Sequence, residues 1–207
     1  MDDDVFALAK LLATNLDRYF PELVHTYQHT LYTFALRLSE RSQDAEDIVQ
    51  EALLRSYIAL SHYPAEHIRD LQLRPWLYKL TLNVFRNSRR GLHRATFSLE
   101  STEESVVLEV PDSESVQPEI WYDLLERQQE LANALYLLAD HHREIIVCVY
   151  FEQLSYQEAA TLLDIAPGTV RSRLNRGIKA LRIILSTERE KNYETARNIT
   201  SSNFPGA

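Results

Sequence analysis

Glycine is nearly absent from this chain: four residues in 207, alongside one cysteine and one methionine. So few glycines, and so few runs of alternating β-branched residues, give an all-α fold as the expected class. The lone Cys148 excludes an internal disulfide and suits a reducing compartment, and its apolar neighbours mark it as buried. No segment approaches the roughly 20 apolar residues of a membrane span. The opening MDDDVFALAK lacks a signal peptide's basic start and apolar run, so a cytoplasmic protein without membrane insertion is expected. Catalytic machinery is missing too. There is no phosphate-cradling glycine loop, no convincing nucleophile and no Cys/His cluster. His25 and His29 stand four apart on one helix face, but no third ligand lies nearby, and His141, His142 and Cys148 fall short of a zinc site. No metal, cofactor or enzyme activity is expected.

What the chain does have is a helical hairpin, SYQEAATLLDIAPGTVRSRLNRGIKALR, over residues 155–182. Ser155 and Glu158 form a capping box, so a helix opens at Tyr156. Ala159 and Ala160 let a second helix cross closely. Asp164 stands at the turn, where it tolerates an unusual backbone, and Pro167 suits the first turn of the next helix. That second helix divides by face. Val170, Leu174, Ile178 and Leu181 recur at spacings of three and four and point inward. Arg171, Ser172, Asn175 and Arg176 lie opposite, flanked by Arg173 and Lys179. Arg and Asn pair bidentately with purine edges, each good pair contributing about 1–3 kcal/mol of base discrimination. This is a helix-turn-helix poised for the DNA major groove.

Taken as totals, a formal net charge of −8 and a pI near 5.4 argue against DNA binding. The charge, however, is segregated. Residues 71–99 carry six bases and no acid, and residues 165–185 carry five bases and no acid. Residues 100–130 between them hold ten acids and one base. Screening acts over roughly 8 Å at physiological salt, so a phosphate senses the local block and not the distant total.

Length and 45% apolar content allow one or two domains with real cores. The pattern predicts helices over 22–38, from Asp44 to about Leu60, from Pro75 to Arg90, over about 119–138, and over the apolar run REIIVCVYFEQ. Residues 62–74 read as an irregular connector and 99–118 as an acidic flexible linker. The tail 186–207 reads as a frayed helix followed by disorder. Two surfaces stand out in the first half. Asp47, Glu51 and Arg55, with Gln50 beside them, face away from Ala45, Ile48, Val49 and Ala52. The cationic block interleaves Arg74, Lys79, Arg86, Arg89, Arg90 and Arg94 with Trp76, Tyr78, Asn83 and Phe85, the ingredients of single-strand binding, although core packing competes for each ring.

On these residues the chain resembles the extracytoplasmic-function group of bacterial RNA polymerase sigma factors. DAEDIVQEALLRSY is similar to their polymerase-binding region 2, RPWLYKLTLNVFRNSRR to its promoter-melting part, and REIIVCVYFEQLSYQEAATLLDIAPGTVRSRLNRGIKALR to region 4. The resemblance implies a region 2 unit over 1–98, the linker over 99–118, a region 4 unit over 119–185 and a polar tail over 186–207. It implies that Asp47, Gln50, Glu51 and Arg55 meet core RNA polymerase. Trp76, Lys79, Asn83, Arg86, Arg89 and Arg90 would engage the minus-ten element as it melts, with a flipped base held near the 62–74 connector. Thr169, Arg171, Ser172, Arg173, Asn175 and Arg176 would read the minus-thirty-five element of promoter DNA. An anti-sigma factor is the further partner implied. The chain departs from the family pattern at the Leu-Pro pair that usually opens region 4, here LLADHHREI, and at Asp164, Ala166 and Gly177. Ile178 and Ala180 stand where basic residues are common. The rival reading is a helix-turn-helix regulator acting without polymerase, which leaves DAEDIVQEALLR and the aromatic-cationic helix unexplained.

Overall fold

The computed structural model describes residues 2–95 and 118–202, with side chains described over 7–90 and 127–191. Every regular element among the described residues is helical. In the first unit, α1 (Asp2–Thr14) and α2 (Leu16–Leu38) meet at Asn15, whose side chain accepts from the Arg18 amide and caps α2. Helix α3 (Ser42–His62) follows a short turn, and Asp44 in its first turn complements its dipole. The second half of this unit is α4 (Ala65–Arg69) and α5 (Leu73–Ala95). Its core is Leu23, Leu31, Phe34 and Ala35 of α2, Ile48 and Ala52 of α3, and Leu73, Leu77, Leu82 and Phe85 of α5. Leu8, Ala9 and Leu12 bury one face of α1 against this bundle, where it packs on α2 and α4.

The second unit consists of α6 (Pro118–Tyr136), α7 (Asp140–Ile146), α8 (Tyr156–Leu163) and α9 (Pro167–Ser202). Helix α7 runs on into one π-type turn, Val147–Phe151. The hairpin forms as its residues dictate. Ser155 Oγ accepts from the Glu158 amide at 3.2 Å while the Glu158 carboxylate accepts from the Ser155 amide at 2.8 Å. Asp164 closes α8 in the left-handed region, φ 58°, and Pro167 opens α9 with Ala166 as a cap that has no side-chain oxygen.

Several boundaries differ from expectation: α1 was not foreseen, and α2 opens at Leu16 and not at Glu22. The 62–74 connector contains a helical turn, α4, because Ile68 has a buried place beneath α1. Helix α5 opens at Leu73, two residues before Pro75, because Leu73 is itself wholly buried. The apolar run after Arg143 widens into the π turn, which brings Glu152 inward. Helix α9 continues unbroken through the tail to Ser202, a span of roughly 54 Å at 1.5 Å per residue, with Arg189 reaching Glu130 of α6 at 3.4 Å. The acidic linker lies outside the described residues except for Pro118, the first residue of α6.

Candidate protein and nucleic-acid interfaces

Helix α3 presents its acidic face to solvent. Asp47, Gln50 and Arg55 are exposed, and Glu51 is half-buried where it accepts from Arg55 Nε at 2.7 Å. Two apolar residues share that face and were not singled out from sequence: Leu54 and Ile58, 55% and 49% exposed. The signal was available, since both lie off the buried stripe of Ala45, Ile48, Val49 and Ala52. Carboxylates flanking unpartnered leucine and isoleucine make a surface suited to a basic, partly apolar protein partner, not to nucleic acid.

Helix α5 has a buried side and a cationic side. Tyr78 and Phe85, candidates for base stacking by composition, are 1% exposed and belong to the core, Tyr78 edge-on to Phe34. Trp76 is half-buried with its ring centroid 6.3 Å from that of Tyr63, which in turn lies edge-on to His67 at 4.7 Å. Tyr63 and His67 are thus the rings of the 62–74 connector that sequence reasoning left unassigned. Trp76, Lys79, Asn83, Arg86 and Arg90 recur at spacings of three and four and share one face of the helix.

The cations of that face are not all free. Arg86 donates from Nε and a terminal nitrogen to the two carboxylate oxygens of Glu144, at 2.9 and 2.7 Å, and the bonded carboxylate pushes the Arg86 pKa up. Arg89 reaches Asp140 at 3.5 Å, and Lys79 Nζ donates to the Leu162 carbonyl at 2.7 Å. Arg37 bonds Glu152 at 3.0 Å and lies over the Phe151 ring, and the Tyr78 hydroxyl donates to the other Glu152 oxygen. Asn83 and Arg90 remain exposed.

In the second unit the sequence-derived face division is met: Val170 and Leu174 are buried, while Arg171, Asn175 and Arg176 are exposed. Thr169 and Ser172 are half-buried, with the Ser172 hydroxyl donating to the Thr169 carbonyl at 3.1 Å, and Arg173 is half-buried beside them. Gly177 is explained by packing. A Cβ there would lie 3.2 Å from Ile146 Cδ1 and 3.4 Å from His142 Cβ, so its bareness lets α9 cross α7 closely. Cys148 is wholly buried, and burial raises its thiol pKa to about 12, which makes it an inert packing residue. Among the described residues no group of three His, Cys, Asp or Glu side chains is arranged to hold a metal.

Two family patterns match this architecture: Sigma-70 region 2 over residues 23–95 and Sigma-70, region 4 over residues 128–181. The chain is 35% identical over 157 residues to the ECF RNA polymerase sigma factor SigL of Mycobacterium tuberculosis, covering 75% of this chain and 82% of that protein. This chain belongs to the extracytoplasmic-function sigma factors. It is also 31% identical over 175 residues to SigE of Mycolicibacterium smegmatis, covering 84% of this chain and 65% of that longer protein. Two solved structures share its fold. The sigma factor RpoE from Bartonella quintana, solved with the anti-sigma factor NepR, matches with a TM-score of 0.60 at 24% identity, over 81% of this chain and 96% of that one. CnrH, solved with the cytosolic domain of CnrY, matches at 0.60 and 23%, over 88% and 97%. The two helical units of the sigma factor correspond to the two regions matched.

Proposed function

We propose that this sigma factor divides its work between the two units as its surfaces divide. The α3 face of Asp47, Gln50, Glu51 and Arg55, widened by Leu54 and Ile58, docks on core RNA polymerase. The α5 face of Trp76, Lys79, Asn83, Arg86, Arg89 and Arg90 holds the minus-ten element as it melts. Thr169, Arg171, Ser172, Arg173, Asn175 and Arg176 at the start of α9 read the minus-thirty-five element as duplex. The factor has no catalytic residue of its own and acts in the cytoplasm; among the described residues no helix is long and apolar enough to cross a membrane. An anti-sigma factor is its natural antagonist, a reading supported by the sigma factor RpoE of like fold, solved in complex with the anti-sigma factor NepR.

One observation carries this reading. An exposed acidic–apolar face on α3 and a separate cationic face on α5 belong to the same small bundle, a pairing that a free-standing DNA regulator has no use for. In vitro transcription with core polymerase on a cognate promoter tests it, and initiation no higher than with core alone refutes it. Asp47→Lys with Glu51→Lys is expected to abolish core association while leaving upstream duplex binding. Arg176→Ala is expected to do the reverse, and unchanged core affinity in the first variant would remove the α3 assignment.

A further inference from the structure

Two imidazoles lie beside the helix proposed to read duplex DNA. Helix α7 crosses α9 at Gly177, where a Cβ would lie 3.4 Å from His142 Cβ. At 3.6 residues per turn Gly177 marks the side of α9 turned to α7, and Arg173 and Arg176 form the edge next to it. That edge runs on through the half-buried Ser172 to the exposed Asn175 and Arg171. The exposed His141 ring packs on the half-buried His142 ring, with centroids 4.1 Å apart. The two imidazoles thus continue the cationic rim of α9 onto α7.

The charge of this cluster is one-sided. Burial, then His141, Arg176 and Arg173, lower the His142 pKa, and no acid is among the groups acting on it. Asp140, next in sequence, is turned to Arg89 at 3.5 Å and Arg143 at 3.7 Å, and Glu144 holds Arg86. On the other elements around α7, Arg37 and Glu152 pair with each other, Glu158 bonds Ser155, and Asp164 acts on Arg86. Among the described residues neither Arg173 nor Arg176 has an acidic partner. Cations gathered without a counter-charge repel one another, and an anion laid over them is favoured.

We propose that His141 and His142 are proton-linked contacts to the phosphodiester backbone of duplex DNA, extending the rim of Arg173 and Arg176. This rests on the assignment of α9 to the minus-thirty-five duplex. A neutral imidazole donates through one ring nitrogen and an imidazolium through both, so protonation adds a donor as well as a charge. A phosphate over the pair offsets the repulsion from Arg173 and Arg176, and the complex holds protons that the free protein does not. A group whose pKa rises on binding tightens the complex as pH falls through the window between its free and bound values. Duplex affinity therefore climbs toward mildly acid pH. Sequence preference does not follow it, because backbone contacts position the protein without reading bases.

Binding of a short mixed-sequence DNA duplex to the full chain is measured by fluorescence anisotropy at about pH 6 and about pH 8, each over a range of salt. The wild-type chain should bind about threefold to tenfold tighter at the lower pH. Its log–log salt slope should steepen there by about 0.9 for each imidazole that protonates. His141→Gln combined with His142→Gln should lose both changes and bind as the wild type does at the higher pH. His25→Gln, on α2 of the first unit, should keep both. His141→Arg, at an exposed position, should bind tighter at the higher pH and carry the steeper slope there. Persistence of both changes in the double glutamine variant overturns the proposal, as does a wild-type affinity that is the same at the two pH values. Unchanged affinity of His141→Arg at the higher pH also overturns it, without touching the α7–α9 crossing. Arg171→Ala tests the reading beneath it, since Arg171 is exposed and outside the cluster. Weaker duplex binding at the higher pH keeps α9 as the duplex face, and no effect removes that assignment and the proposal with it.

Discussion

Replacing Arg143 with methionine should be among the most damaging single changes in this molecule. Its guanidinium is 2% exposed and donates to four carbonyls: Leu38 at 2.6 Å, Leu135 at 2.9 Å, Tyr136 at 2.6 Å and Leu138 at 3.1 Å. Leu135 and Tyr136 end α6, Leu138 lies in the turn that follows and Leu38 ends α2, so a single side chain ties together two helix ends from different units. Burial lowers the Arg143 pKa, Asp140 partly restores it, and the guanidinium stays charged. Hydrogen bonds to a charged group contribute about 1.5–3 kcal/mol each, so four amount to roughly 6–12 kcal/mol before the cost of burying the cation. That desolvation is several kcal/mol, and methionine escapes it, which leaves a net loss of about 3–5 kcal/mol. Urea unfolding followed by helical circular dichroism measures it. Arg143→Lys should recover no more than about half, because a compact ammonium cannot span acceptors spread around a planar fork. A loss below about 1 kcal/mol for methionine, or full recovery by lysine, would refute the reasoning.

Other outcomes follow from single sites. Ser155→Ala should destabilise the hairpin by about 1 kcal/mol at neutral pH. The Ser155 bonds hold the Glu158 pKa below the ordinary carboxylate value, so this stabilisation is present above that value and lost as pH falls through the depressed one; melting curves at neutral and acid pH should converge. Burial, then His141, Arg176 and Arg173, lower the His142 pKa, so the folded state resists its protonation and stability should decline as pH falls below about 6.5. DNA phosphates over Arg173 and Arg176 offset part of that repulsion, so duplex binding should take up protons, and titration calorimetry in buffers of different ionisation enthalpy should lose this uptake in His142→Gln. Gly177→Val should cost about 1–3 kcal/mol by crowding Ile146 and His142, whereas Gly168→Ala, with open space around its Cβ, should stabilise α9 by about 0.5–1 kcal/mol in thermal unfolding.

Local rules made much of the hairpin legible. The capping box, the left-handed Asp164, Pro167 and the buried Val170 and Leu174 all act within a few residues of one another, where spacing alone carries the physics. The α3 face was half legible: its charges were plain, but Leu54 and Ile58 were not singled out, although both lie off the buried stripe. Tyr78 and Phe85 went the other way, since composition cannot tell a stacking platform from a core ring. The π turn at Val147–Phe151 leaves no local signature, and its effect, burying Glu152, depends on Arg37 and Tyr78, which come more than 70 residues earlier. The contact between units was the least legible part. Arg86 and Glu144 are 58 residues apart, and each separately looks like a solvated surface charge.

The two proposed DNA faces do not share the same fate in this arrangement. Residues 71–99 and 165–185 both carry cations without acids, yet only the first block is met by carboxylates of the intervening segment. Arg171, Asn175 and Arg176 of α9 remain exposed while Arg86 and Lys79 of α5 are engaged. With its units in contact, the molecule therefore keeps its duplex-reading face available and its strand-binding face covered. Glu144→Gln and Glu152→Gln should tighten single-strand binding and leave upstream duplex binding unchanged. Arg176→Ala should weaken duplex binding equally with and without these substitutions, because it touches neither carboxylate. An equal gain in both activities would mean that contact between the units hides α9 as well. Competition titrations of duplex and single-stranded DNA on the same variant distinguish the two outcomes.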